Sequence, residues 1–190
     1  IDSASSECFS VVDDDDVWSK GLGTSLLTAV EKAPVENCMA FALAADLECF
    51  CSAFFKDFPY LVDVIFEGYT PPVGSQIYKT EMLKKMNGYN ADVKSGVEHD
   101  LWISLALLNP RVSVCWGDTV IVGSDPFADR LTTIEKRRRE KIGDSLLIWK
   151  PKITEAFGGD FYEHFCSSYE RYSNYRFFVW SVHKREYFRA

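Results

Sequence analysis

The sequence has no apolar run long enough to cross a membrane. The longest, Cys38 to Ala45, falls far short of the roughly 20 residues a spanning helix needs. It also has no excess of positive charge. With 21 Lys and Arg against 28 Asp and Glu the net charge is −7, which argues against nucleic acid as the main partner, because phosphate backbones are met by a basic face. The six cysteines, at 8, 38, 49, 51, 115 and 166, do not form a metal pattern: only Cys49 and Cys51 are close, and no second Cys or His pair has structural zinc spacing. They read as reduced, mostly buried thiols of a cytosolic protein. No signal peptide is visible. The first residue is Ile1 rather than Met, so a processed chain or a piece of a longer one is expected. There is no internal repeat and no low-complexity linker. There is also no glycine-rich phosphate cradle, which sets aside a metal-dependent phosphotransfer enzyme.

What is present is an ordinary globular composition, 47% hydrophobic and 26% charged, on a length that allows one sizeable core with or without a small appendage. Aromatics stand out at 15%, with 14 Phe, 9 Tyr and 5 Trp. They suit an aromatic core and would equally suit a sugar-binding cleft.

Apolar spacing predicts a strand over Phe9 to Val12 that stops at a charged loop. Leu22, Leu26, Leu27 and Val30 keep helical spacing between Ser19 and Lys32, before Pro34. Cys38 to Ala44 is a strand or buried segment, and Leu47 to Tyr69 is aromatic with no clear period. Thr70 to Gly74 is a loop. Gln76 to Tyr78 is a short strand, and Lys79 to Asn87 a helix with Gly88 as its cap. Ser95-Gly96 is a turn. Glu98 to Leu108 is a helix stopped by Asn109-Pro110. Val112 to Val122 holds one or two strands around Gly117-Asp118. Thr132 to Trp149 is a helix with a basic stretch, Lys136 to Arg139, which Pro151 is expected to break. Lys152 to Ala190 is helical and aromatic. The alternation of strands and helices points to an α/β protein.

Two features carry chemistry. Asp13-Asp14-Asp15-Asp16 places four carboxylates side by side, a repulsive arrangement that a cation relieves. Carboxylate oxygens suit Mg²⁺, Mn²⁺ or Ca²⁺. On an extended backbone Asp13 and Asp15 face one way, Asp14 and Asp16 the other, so an alternate pair would meet a metal–diphosphate. The plainer alternative is a solvated acidic turn that caps the next helix. Second, Glu98-His99-Asp100 opens a helix faced by Leu101, Leu105 and Leu108. Acids in a first turn can simply complement the helix dipole, or one can serve as a general base beside a cleft. His99 could titrate or bond a sugar; one His beside two acids is no zinc site.

In order along the chain, these pieces resemble inverting glycosyltransferases with the GT-A fold. The D-x-D strand corresponds to Val11-Val12-Asp13-Asp14-Asp15-Asp16-Val17-Trp18. The following loop, strand and helix correspond to Gly74-Ser75-Gln76-Ile77-Tyr78-Lys79, Met82 to Asn87, and Gly88-Tyr89. The acidic pair running into a Leu-Trp helix corresponds to Gly96 through Ala106. A looser match continues through Ala128-Asp129-Arg130-Leu131-Thr132-Thr133.

The resemblance implies a GT-A-like mixed, mostly parallel sheet flanked by helices, with a partial catalytic domain over 1–125 and a helical carboxyl-terminal extension over 126–190. Only about a dozen residues precede the D-x-D strand, where the family carries the strands that hold the nucleotide base. Either the chain is a fragment, or the base site is lost or supplied otherwise, and an unpaired strand edge with self-association is expected. The implied activity is transfer of a sugar from a UDP- or GDP-sugar to a carbohydrate or glycoconjugate hydroxyl, with inversion. The alternative is a degenerate, non-catalytic binding module. By the same resemblance Asp13 and Asp15 hold Mn²⁺ or Mg²⁺, Asp16 joins them on the donor side, and Glu98 is the catalytic base. His99, Asp100 and Trp102 line the acceptor side, unless Trp102 is plain core. Glu98 stands where the family usually has Asp, which moves the carboxylate by about an ångström. The expected location is cytoplasmic, extending to the periphery of a membrane.

Overall fold

A computed structural model describes residues 4–12, 16–33, 38–44, 60–69, 73–93, 96–121 and 135–187. The chain divides into two compact units, Ile1–Ile65 with Thr70–Gly123, and Phe66–Tyr69 with Ser124–Ala190.

The first unit is built on five strands: β1 (Cys8–Phe9), β2 (Val17–Trp18), β3 (Cys38–Ala44), β4 (Gln76–Lys79) and β5 (Arg111–Ile121). They lie in the order β1-β4-β3-β5-β2. Of these pairings only β3 with β5 is parallel; β1–β4, β3–β4 and β2–β5 are antiparallel. The sheet is thus mixed, and the mostly parallel character implied by the resemblance does not hold among the described residues. The two outer strands are two residues long, and β2 meets β5 only at Val120 and Ile121. The expected Phe9–Val12 strand is shorter than its apolar run: it ends at Phe9 and is paired with β4. Where the sequence predicts one or two strands over Val112–Val122, the described residues form one, β5, as far as Ile121. Its register against β3 shifts between Ala42 and Ala44, opposite Cys115 and Val120, and the strand runs on through Gly117-Asp118 without a break.

Strand alternation sorts the residues of β3 onto two faces. Ala40 and Ala42 pack with Leu22, Leu26 and Val30 of helix α1 (Leu22–Glu31), joined by Cys115 and Ile77. The alanines leave room for the helix to approach, and each fully buried Leu or Val adds about 1.5–3 kcal/mol. The other face shows Phe41, whose ring lies 5.5 Å from that of Trp102 on helix α4 (Val97–Ala106). Helix α4 is buried nearly all round, through Asp100, Leu101, Trp102, Ile103, Leu105 and Ala106. Gly96, at φ 70°, starts it; Asn109, at φ 47°, and Pro110 end it.

Two shorter helices complete this unit: α2 (Leu61–Phe66), whose Leu61 N–H donates to the Pro110 carbonyl, and α3 (Thr80–Lys85). At the end of α3, Asn87 N–H donates to Lys84 O and Gly88 N–H to Leu83 O. This is a Schellman closure, with left-handed Asn87 at φ 57° in the position the sequence assigned to Gly88.

The second unit contains α5 (Glu135–Phe157) and α6 (Gly159–Tyr187), separated at Gly158, φ 93°. Pro151 does not break α5, contrary to the sequence expectation. It lies on the exposed side, where solvent can take the carbonyl it leaves unbonded. Trp149 and Ile153, both fully buried, hold the helix on either side of it. Trp149 meets Tyr169 edge-on at 5.4 Å and Phe165 at 6.1 Å. Gly68, at φ 70°, packs directly on the Tyr169 backbone, where a β-carbon would come within 2.3 Å.

Candidate functional site

The acidic run is fastened at both ends to one short segment, the turn Val73–Ser75 and the first residue of β4. Before the run, Ser10 Oγ donates to the Gln76 carbonyl at 2.6 Å. After it, the Trp18 indole N–H donates to the Gly74 carbonyl at 2.6 Å. The same indole lies over Gly23, where an added β-carbon would stand 2.8 Å from Cζ3. Asp16 projects onto Gly74: its Oδ2 would be 2.7 Å from a β-carbon at that position. Asp13, Asp14 and Asp15 lie outside the described residues. Helix α1 begins at Leu22 with Gly21 as its N-cap and no acid in its first turn.

The same segment reaches the helix that carries Glu98. Gln76 and Tyr78, two apart on β4, face the same way and are buried. The Tyr78 hydroxyl donates to Gln76 Oε1. The Trp102 indole N–H is shared between Gln76 Oε1 at 2.7 Å and the Tyr78 oxygen at 2.9 Å. Trp102 follows Glu98 by four residues, one turn along the same side of α4. Burial holds the Tyr78 phenol well above its usual range; the nearby Tyr89 and Glu98 charges push the same way, and the hydrogen bond from Trp102 opposes them.

Glu98 and His99 are partly buried at the start of α4, and Asp100 is 2% exposed. Glu98 and Asp100 both lie in the positive first turn of the helix. The Asp100 carbonyl accepts from Ser104 Oγ at 2.9 Å. His99 Nε2 is shut off from solvent, and this desolvation lowers the pKa of the ring to about 3. It is therefore a neutral imidazole throughout the physiological range. Trp102 is fully enclosed, the core placement that the sequence left open beside the acceptor-side one.

Among the described residues no group of three or more His, Cys, Asp or Glu is placed to hold a metal ion. Asp16 is the one member of the acidic run with a described position, and the run as a whole is an all-oxygen donor set of the kind that takes hard divalent cations. Cys8, Cys115 and Cys166 carry thiols rather than disulfides, and of these Cys115 is buried. No helix among the described residues is long and apolar enough to cross a membrane.

Sequence reasoning did not single out Ser10, Gln76 or Tyr78. The available signal was a Gln two residues before a Tyr in a four-residue strand, which on alternation alone puts two polar groups on one face.

No family model matches the sequence, and no curated protein matches it. Among solved structures, it is similar to S. aureus TarS 1–349, a glycosyltransferase, with a TM-score of 0.55 at 15% identity. The match takes in 88% of this chain and 47% of that one, so the chain spans about half of the structure it resembles. At this identity the likeness is one of fold: a mixed α/β arrangement, a small sheet flanked by helices, similar to part of a glycosyltransferase.

Proposed function

We propose that this chain carries the metal-binding and acceptor-side half of an inverting GT-A glycosyltransferase, which moves a sugar from a nucleotide-diphosphate sugar to an acceptor hydroxyl. The observation that carries the reading is the segment Val73–Tyr78, which holds both flanks of the acidic run and also bonds to the helix that opens with Glu98. The fold shared with TarS supports it.

In this reading Asp13 and Asp15 hold Mn²⁺ or Mg²⁺, with Asp16 beside them on the donor side. The cation, when bound, offsets charge developing on the leaving diphosphate. Glu98 accepts the proton of the acceptor hydroxyl as that oxygen attacks the anomeric carbon. The bond from that carbon to the diphosphate breaks, and its electron pair leaves with the diphosphate. A single displacement inverts the centre and needs no enzyme nucleophile. His99, neutral at working pH, and Asp100 stand next to Glu98 on the acceptor side, and Trp102 supports them from beneath.

The test is release of nucleoside diphosphate from UDP- and GDP-sugars with Mn²⁺ and a panel of carbohydrate acceptors. Any sequence upstream of Ile1 is to be restored. Release that depends on both metal and acceptor, and that Asp15→Ala abolishes while Asp14→Ala reduces it less, is the expected result. Carbohydrate binding with no release from any donor would replace the reading with a non-catalytic module.

A further inference from the structure

We propose that Gln76 is a positioning residue that ties the acidic run to the helix bearing Glu98, and so fixes the two carboxylate groups relative to each other. The inference rests on the function proposed above and adds a residue that the motifs do not contain.

Gln76 makes two connections in different directions. Its backbone carbonyl accepts from Ser10, three residues before Asp13. Its side-chain oxygen accepts from Trp102, four residues after Glu98, and from Tyr78. A single residue therefore joins the foot of one carboxylate cluster to the first turns of the helix that begins at the other.

Packing alone does not call for glutamine here. Its 1% exposure sets it against Phe41, its cross-strand partner, and Trp102. A buried amide in such surroundings is costly unless its hydrogen bonds are made, by about 1–3 kcal/mol, and an apolar residue of equal size would carry no such risk. What the amide supplies is an acceptor that orients the indole of Trp102. Because Trp102 and Glu98 share one side of α4, holding the indole sets the rotation and depth of the helix start. Displacing a general base by even an ångström is enough to cost turnover. The charge of Glu98 also acts on the Tyr78 phenol.

The experiment uses Gln76→Met, which keeps length and volume and removes the amide oxygen. Two readouts are taken. Hydrogen exchange at the Asp100 and Leu101 amides should speed up about tenfold or more, with the last turn of α4 unchanged. Turnover should fall about tenfold with the donor KM within about twofold, and that loss should vanish when the substitution is made on a Glu98→Gln background, because the two residues act as one unit. Unchanged exchange at the helix start overturns the proposal, as does an equal loss of turnover on both backgrounds, the mark of a merely structural role. If Gln76→Met does not fold, Tyr78→Phe removes one of the two donors to the same oxygen and should move both readouts in the same direction by a smaller factor. If the wild-type chain transfers sugar from no donor, the functional reading fails, and hydrogen exchange alone decides whether Gln76 holds the helix start.

Discussion

The carboxylate of Asp16 rests against the backbone of Gly74, with Oδ2 only 2.7 Å from where a β-carbon would stand and Asp16 Cβ and Cγ at 3.5 Å. A methyl group at residue 74 must push this carboxylate aside. Because the displaced group is the end of a side chain, Gly74→Ala is expected to cost little stability, about 1 kcal/mol or less. It should nonetheless weaken Mn²⁺ binding by about threefold or more, since the last carboxylate of the acidic run is moved. Calorimetric titration with Mn²⁺ beside a thermal melt separates the two effects. Full Mn²⁺ affinity in a folded Gly74→Ala protein would remove Asp16 from the donor side.

Glu98→Gln preserves shape and removes basicity. Turnover should fall by about two orders of magnitude with donor binding retained. Asp100, two residues on and 2% exposed, is expected to act differently: Asp100→Asn should lower the melting temperature more than it lowers turnover in protein that remains folded. Steady-state kinetics and melts of both variants decide between them. The reverse pattern would move the base to Asp100.

The parts of the fold that could be read from sequence are those with one strong period. Leu22, Leu26 and Val30 marked α1. Cys38–Ala44 and Gln76–Tyr78 marked β3 and β4, and Leu101, Leu105 and Asn109-Pro110 marked α4 and its end. Other features depend on what a residue meets in space. Pro151 reads as a break, yet α5 continues because Trp149 and Ile153 are anchored on both sides of it. Asn87, as well as Gly88, takes a left-handed conformation after α3, as Asn can, at φ 57° and 68° respectively. The site shows the same division. The acidic run and Glu98 are legible as residue types in order. The bonds from Ser10 and Trp102 to Gln76 join positions 66 and 26 residues apart, and no local pattern encodes them.

His99 should make stability fall in acid. The unfolded ring protonates near 6.5, the folded one only near 3. Below pH 6.5 the unfolded state takes up a proton that the folded state refuses. Stability attributable to this residue then drops by up to about 1.4 kcal/mol per pH unit until the folded ring itself titrates, and it is independent of pH above 6.5. The carboxylates add their own slope, so the comparison is with His99→Gln. Wild type minus variant, from urea unfolding, should shrink by about 2 kcal/mol between pH 7 and pH 5. A constant difference would mean that the folded ring protonates as readily as the unfolded one.

Pro151 lies inside α5 with no N–H to give the carbonyl of Leu147, which solvent must take instead; the Leu147 side chain is itself 71% exposed. In a helix interior proline is about 3 kcal/mol less favourable than alanine. The alanine also removes a stiff residue from the unfolded chain, which offsets part of the gain. Pro151→Ala is therefore expected to stabilise α5 by about 1–2 kcal/mol, read as a higher urea midpoint with an unchanged slope. The opposite outcome has a definite meaning. A loss of stability would show that a bend imposed by Pro151 is what allows Trp149 on one side and Ile153 on the other both to reach the buried face, where Trp149 meets Phe165 and Tyr169 of α6.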